Sequence, residues 1–574
     1  MNEAGGRRLA AGGSQTSPCR AAPIDTTTTP PPASSLQLPA RVVLALAFAL
    51  ATLSAGEVRV DASCPWEDKD GYTPVLVRVE ALIAPVEVEL EAHLGGASAT
   101  GRLRVEPGRP GNLTLLLPSH NGYGTPELRW STPNDRDSTS VRVDIDYRAA
   151  ALVVLDPLEQ VPLPALLKLV EAQAPDSSHG GRSGYRSSSG DRVRRLAPDL
   201  LPERWQGLPA WLTLLTTAAG EAQLGQGQRE AIAGWTRLGG ALFTSDPAAV
   251  AAWARLGAHA TLCDPTAADQ PALIGRLKRV AGEDGRPGKH PVPGTASVPT
   301  AWFLSLAIAF AIVAGPLNIW WAVRRRQPWL LLVSTPLISL GTCVLLIAIA
   351  LASDGIGRRR SAVQVTLCDQ GRAAVFTGST WFCGIAPGAF ALDPEDRLVP
   401  MDEADFNGGW RSNNRPDLAL DWTSGQSALA GWIPARINRQ LACTQVRPER
   451  RRLSLVRNGD GWRVGNGFDI TIRSLHWRDA AGMPWQVADL RPGQEAVLTR
   501  AQAGPPPLAE PLSRLGLDAR LALAGATTAP RWWLARLDGP LQALPGPTAI
   551  DAEPVEVWAV GLLDETSAKT DGGF

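Results

Sequence analysis

Lysine is nearly missing from this chain of 574 residues: it occurs only at Lys69, Lys168, Lys278, Lys289 and Lys569, and arginine supplies almost all the positive charge. With abundant Ala and Gly, that bias reads as the codon drift of a GC-rich bacterial genome. Neither sign of charge is in surplus, 56 basic residues standing against 56 acidic ones. That balance excludes a protein that coats nucleic acid or steers anions by its net field, so no nucleic-acid partner is expected. Among seven cysteines no C-x-x-C occurs, which leaves a structural zinc site or dithiol redox motif without support. The six histidines (His93, His120, His179, His259, His290, His476) never stand at i, i+4. There is no G-x-G-x-x-G and no Walker Lys-Ser/Thr. No cofactor, metal or catalytic constellation is therefore expected.

Charge is also missing locally, and there its absence is informative. A mean hydropathy of −0.05 looks soluble, but Ala301 to Val323 holds no charged residue, and its 23 residues span roughly 35 Å as a helix. Arg324, Arg325, Arg326 and Gln327 follow, then a second uncharged run, Pro328 to Ser353. So short a connection forces a helical hairpin, and three arginines on it place the loop in the cytoplasm with both outer ends outside. Arg358, Arg359 and Arg360 beyond the second span weaken that bias without reversing it. Trp302, Trp320, Trp321 and Trp329 sit where an interfacial aromatic belt belongs. Gly315, Pro316, Ser334, Thr335 and Pro336 are read as packing residues and kinks in preference to a pore or ion site.

Residues 1–40 are a Thr/Pro/Ser-rich leader expected to be disordered. Val42 to Ala55, after Arg41, is an apolar stretch of 14 residues, short for a span and typical of a signal peptide, with Ser54, Ala55 and Gly56 suited to cleavage. The long leader leaves two alternatives, a start downstream of Met1 or an uncleaved N-terminal anchor over 41–56. Either exports residues 57–298.

Residues 57–148 read as a β-sandwich of immunoglobulin-like type. Val86 to Ala92 alternates apolar with acidic, and similar runs recur between Gly, Pro, Asn and Asp turns. Pro133 to Ser140 (PNDRDSTS) glances at a metal loop but reads as an ordinary turn. From 149 to 265 the period changes. Strands at Ala151 to Leu155, Val193 to Leu196, Ala210 to Thr216, Ala241 to Thr244 and His259 to Leu262 alternate with helices at Leu163 to Ala172, Gln226 to Leu238 and Pro247 to Leu256. That pattern implies a parallel sheet covered on both faces, an α/β flavodoxin-like layer. Residues 266–299 read as linker before the spans at 300–323 and 328–353.

Gly234-Trp235 and Gly239-Gly240-Ala241-Leu242-Phe243, then Gly315-Pro316-Leu317-Asn318, the RRRQPWLL that opens at Arg324, and Asp354-Gly355-Ile356-Gly357 occur in an order that resembles an uncharacterised family of bacterial membrane proteins. The resemblance runs from about residue 57 to the C-terminus. It implies an exported glutamine-amidotransferase-like domain, and partners in a MoxR-type ATPase system with von Willebrand factor A-type proteins. The chemistry of that fold needs a Cys nucleophile on a tight strand-to-helix turn. After the third strand this chain reads Thr216-Thr217-Ala218-Ala219-Gly220-Glu221, with no Cys or Ser at an elbow. Cys263 ends the last strand instead, four residues after His259, and a Cys/His dyad there is disfavoured. Gly225-Gln226-Gly227-Gln228 reads as a helix start.

Residues 361–503 form a mainly-β C-terminal domain, with Asn458-Gly459 and Asp460-Gly461 as hairpin turns. Residues 504–574 bring a Pro505-Pro506-Pro507 linker and two terminal strands, Arg531 to Asp538 and Val555 to Leu563. Cys368 and Cys383 are the best disulfide candidates. Twenty Trp stand against four Tyr. Trp381, Trp410, Trp422, Trp432, Trp462, Trp477, Trp485, Trp532, Trp533 and Trp558 crowd this end, and packing is favoured over a glycan-stacking surface. The leading expectation is a multidomain, multi-pass protein of the bacterial inner membrane whose exported domains scaffold or bind other envelope components without catalysis. The alternatives are an exported hydrolase or amidase using Asp156, Glu221 or Cys263, and an exported glycan or peptide binder.

Overall fold

The computed structural model describes residues 57–68, 71–118, 125–145, 152–171, 193–265, 267, 270–282, 300–354, 357–369, 371–401, 418–429, 431–459, 461–501, 509–523, 531–547 and 555–563. The leader, the stretch 41–56, most of the expected linker at 266–299, Trp410 and the Pro505 to Pro507 run lie outside them.

Eight strands open the chain: β1 (Val58–Trp66), β2 (Tyr72–Ala81), β3 (Val86–Leu94), β4 (Ala97–Val105), β5 (Gly111–Pro118), β6 (Glu127–Ser131), β7 (Arg136–Ser140) and β8 (Val143–Ile145). In β3 the alternation does what a period of two requires: Val88, Leu90 and Ala92 are fully buried while Glu87 and Glu89 are exposed. One sheet runs β5-β2-β1-β8, and β4-β3-β6-β7 belong to a second. The second sheet does not stop at β4. The strand Leu418–Asp421 pairs with it in parallel, Leu418 opposite Ala97 and Asp421 opposite Thr100, and brings Gln426–Ala428 and Phe390–Leu392 behind it. Residues more than 300 positions apart thus fill one core, with Trp432, Leu441 and Cys443 beside Leu90 and Leu115.

The next five strands, β9 (Leu152–Leu155), β10 (Val193–Arg195), β11 (Thr213–Thr216), β12 (Ala241–Thr244) and β13 (Ala260–Leu262), form an all-parallel sheet in the order β10-β9-β11-β12-β13. Between and after them lie α1 (Leu163–Glu171), α2 (Ala218–Gln223), α3 (Gln226–Arg237), α4 (Pro247–Arg255) and α5 (Pro271–Gly282). A parallel strand covered on both faces has no polar side, hence LVVL in β9, buried throughout. Its residues serve two cores alternately. Val153, Leu155, Leu214 and Leu242 meet Trp205, Ile232 and Trp235, whereas Leu152, Val154, Leu215 and Phe243 meet Leu166, Leu273 and Leu277 of α1 and α5. Gly239 closes α3 with φ of +87°, the left-handed turn that suits glycine.

A nine-stranded sheet takes up much of the C-terminal half. Its central strands are Arg372–Cys383, Arg358–Asp369, Val555–Leu562 and Trp532–Leu537, so the two terminal strands lie in its middle. Its Val363, Val365, Phe376 and Trp558 continue the first α/β core. Within the stretch expected as linker after 504, two short helices, Ala509–Ser513 and Leu517–Leu523, press Leu515, Ala519, Leu521 and Leu523 into that core. The candidate disulfide is overturned. In the hairpin of Arg358–Asp369 with Arg372–Cys383, Cys368 lies opposite Ala373 near the turn and Cys383 opposite Arg358 at the far end. That separates them by about 30 Å of extended chain, and neither is in a disulfide.

Between the α/β sheet and the nine-stranded sheet, α6 (Thr300–Ile312), a π-helical turn (Val313–Leu317) and α7 (Asn318–Arg324) make one apolar helix, and α8 (Leu330–Asp354) returns beside it. Leu304–Arg324 and Leu330–Ile349 are each long and apolar enough to cross a membrane. Leu332, 82% exposed, and Val323, 69% exposed, show how little protein covers them. Pro316 has no N–H for the helix ladder, and the turn widens around it. One step on, Asn318 is buried and joins the two helices: its Nδ2 donates to Thr335 Oγ1 (3.1 Å), and Ser334 Oγ donates to its Oδ1 (2.7 Å). Trp320, Trp321 and Trp329 lie exposed near the arginine loop, with the Arg324 and Arg325 guanidiniums over the Trp320 and Trp321 rings at 5.1 and 5.8 Å.

Candidate functional site

In an open parallel sheet, ligands bind beyond the carboxyl ends of the strands, so that edge is tested first. Asp156 follows β9 and is wholly buried. Its Oδ2 accepts the Val161 N–H (2.7 Å) and lies 3.5 Å from Arg195 Nη2, while Oδ1 has no hydrogen-bond partner. Glu221, in the first turn of α2, turns back over β11 and β12. Its Oε1 accepts the hydroxyls of Thr216 (2.5 Å) and Thr244 (2.7 Å). Thr217 caps the same helix, with Oγ1 accepting the Gly220 N–H (3.2 Å) and donating to Leu155 O (3.2 Å). A side chain on Gly220 would meet Leu155 O at 2.2 Å, which explains the glycine in this tight strand-to-helix turn.

Cys263, after β13, is buried, and its Sγ donates to Gln270 Oε1 (3.3 Å). Burial pushes its pKa up to about 11, so the thiolate that a nucleophile requires is scarce at neutral pH. Among the described residues no hydrogen bond joins Asp156, Glu221 and Cys263. Asp156 and Cys263 bond close to their own strand ends and Glu221 joins two, so the edge works as a set of local clasps.

The other sequence-level candidates resolve as local structure. Thr132 Oγ1 accepts from the backbone N–H groups of Asn134 and Asp135, turning the chain from β6 into β7, so Pro133 to Ser140 is a turn and a strand. Gln228 Oε1 accepts the Gly225 N–H (2.9 Å) at the start of α3. Among the described residues no group of three or more His, Cys, Asp or Glu is placed to hold a metal ion. A glycan surface built on the C-terminal tryptophans is overturned. Trp381, Trp422, Trp432, Trp477, Trp485, Trp533 and Trp558 are buried, and Trp462 and Trp532 are half-buried.

A cavity of about 420 Å³ lies elsewhere, where the sheet of β1, β2 and β5 meets the segment before α3. Its floor is two cross-strand rows, Asp61-Arg78-Asn112 and Ser63-Leu76-Thr114, and its wall carries Asp199, Glu203 and Arg204. The Arg204 guanidinium stacks over the Trp422 ring at 4.9 Å. Gln228, at the back, spends its Nε2 on the carbonyls of Pro198 (2.7 Å) and Leu201 (3.0 Å). Sequence reasoning missed this cleft because its residues come from three strands, the segment before α3 and α3 itself, which carry no shared motif.

No family model matches the chain, and no curated protein is similar to it. Among solved structures, a carbohydrate acetylesterase from Xanthomonas citri is 10% identical, with 67% of this chain and 91% of that chain covered and a TM-score of 0.18. Native α2-macroglobulin from E. coli is 10% identical, with 78% of this chain and 39% of that chain covered and a TM-score of 0.13. Likenesses this slight carry no inference about fold or activity.

Proposed function

We propose that this chain is a non-enzymatic membrane protein of the bacterial envelope, held by its helical hairpin in the inner membrane and using its exported domains to scaffold or bind other envelope components. The observation that carries the reading is the closed carboxyl edge of the parallel sheet. Glu221 is occupied by two threonine hydroxyls and Cys263 is a buried thiol, so the place where a flavodoxin-like or amidotransferase-like layer would hold a reacting group is filled by structural bonds. The strand order, with the second strand outside the first, agrees with such a layer.

The strand pairing of β4 with Leu418–Asp421 supports the hairpin topology independently. Strands on opposite sides of a bilayer cannot hydrogen-bond, so the chain must cross an even number of times between them, as two spans do. With Arg324, Arg325 and Arg326 on the cytoplasmic loop, both β-rich regions lie outside. A MoxR-type ATPase system with von Willebrand factor A-type proteins is the proposed partner, on the resemblance of the motifs alone.

Cysteine placed at position 325, labelled in intact cells by a membrane-impermeant maleimide, tests the topology: no labelling is expected until the membrane is opened. Labelling from outside would overturn it. A second reading, an exported hydrolase or amidase, keeps one observation, the unpartnered Oδ1 of Asp156. Release of nitrophenol from nitrophenyl esters or of nitroaniline from nitroanilides by the purified protein, abolished in Asp156→Asn or Glu221→Gln, would favour it over the binding reading.

A further inference from the structure

The cleft under Arg204 has a feature its volume does not convey: it opens beside a free sheet edge. β5 ends its sheet, and no strand lies beyond it among the described residues. Which backbone groups face outward follows from the register. Pro74 of β2 lies opposite Leu116 and has no N–H to give. The Leu116 carbonyl accepts the Trp422 indole N–H at 3.3 Å. Both observations put Leu116 at a position that turns away from β2. In an antiparallel ladder that direction recurs every second residue, so Thr114 and Asn112 also aim their N–H and C=O outward. Their side chains line the cleft.

We propose that the Asn112 to Thr114 edge and the adjoining cleft bind an extended peptide segment of another envelope protein by strand addition. This rests on the binding reading given above and names its partner class. An added strand would take the outward amide and carbonyl groups of Asn112 and Thr114, and every second side chain would enter the cleft. Within reach there are carboxylates at Asp61, Asp199 and Glu203 and guanidiniums at Arg78 and Arg204. Both signs are present, so the segment carries a basic and an acidic side chain on one face. No aromatic ring is among the lining residues, which favours peptide over sugar, because sugar sites use flat ring faces for stacking.

The test uses full-length protein in nanodiscs. The probe is a library of acetylated ten-residue peptides in which Lys, Glu, Thr and Val are randomised, with chitooligosaccharide run in parallel. Peptides with Lys and Glu two positions apart, and so on one face of the strand, should be retained, and Thr114→Pro, which removes an outward N–H and no ladder bond, should weaken them about tenfold or more. If that variant melts early, the same peptides N-methylated at alternate residues are tested on the unaltered protein, where the same loss is expected. Retention indifferent to both changes, no retained peptide, or retention of the oligosaccharide alone overturns the proposal. The maleimide result at position 325 is read on its own, so failure here leaves the membrane reading standing.

Discussion

Leu420 tests whether the two β-rich regions before and after the helical hairpin unfold together. It is fully buried, lies opposite Ala99 of β4, and packs in the core that holds Leu90, Leu115 and Trp432. Leu420→Ala removes three carbons from a site with residues of both regions around it, and such truncations cost about 2–5 kcal/mol. At about 3 kcal/mol the open population rises more than a hundredfold. Hydrogen exchange of the nanodisc-embedded protein, read by mass spectrometry over Val86–Leu94 and Arg439–Pro448, reports that rise. If the shared sheet makes one cooperative unit, protection falls at both segments by the same factor. Leu475→Ala serves as the control. Leu475 is equally buried but belongs to a separate core with Trp477 and Trp533, and its truncation should spare Val86–Leu94. Unchanged exchange over Val86–Leu94 in Leu420→Ala, with faster exchange over Arg439–Pro448, would refute the coupling.

Further outcomes follow from individual groups. Asp396 is buried against Arg447 and accepts from Gln445 Nε2 at 2.8 Å, and burial pushes its pKa up to about 6. The folded chain therefore holds a proton there that the unfolded chain has released between about pH 4 and 6. Its contribution to stability improves as pH falls through 6. The melting temperature should rise from pH 7.5 to 5.5 relative to that of Asp396→Asn, and parallel profiles would exclude this. Iodoacetamide at pH 8 should leave Cys263 unmodified until the protein is denatured. Denatured without reductant, Cys368 and Cys383 should both alkylate, and a linked peptide pair would contradict the hairpin register. Asn318→Leu gives up two interhelical hydrogen bonds, together about 1–2 kcal/mol in a membrane. It should lower the midpoint of an SDS titration in mixed micelles, and Ser334→Ala should add little in that background.

Many local elements of this fold were legible, although the helix Pro271–Gly282 falls in the stretch read as linker. A charge-free run of spanning length, the alternation in β3, the continuous LVVL of β9 and the glycine that closes α3 each state a period or a backbone need within a dozen residues. Partnership between distant segments was not legible. Nothing in LALD at 418–421 names β4 as its neighbour, because a strand pattern specifies a buried face and leaves the hydrogen-bonding partner open. Leu515 and Leu521 hide for the same reason, since two short helices after a proline run read as linker until the core they fill is seen. At the parallel sheet the sequence placed Asp156, Glu221 and Cys263 at strand ends, where they are found. It could not show that Thr216 and Thr244 occupy the Glu221 carboxylate, because those hydroxyls arrive from two strands.

The pairing of β4 with Leu418–Asp421 also sets a timetable. Roughly 300 residues separate the two partners, and at bacterial rates of about 5–20 residues per second their synthesis is about 15 to 60 s apart. For that interval the β4 edge of the first-made region stands unpaired. An open strand edge is where chains aggregate, so the emerging first region has to be shielded until Leu418 arrives.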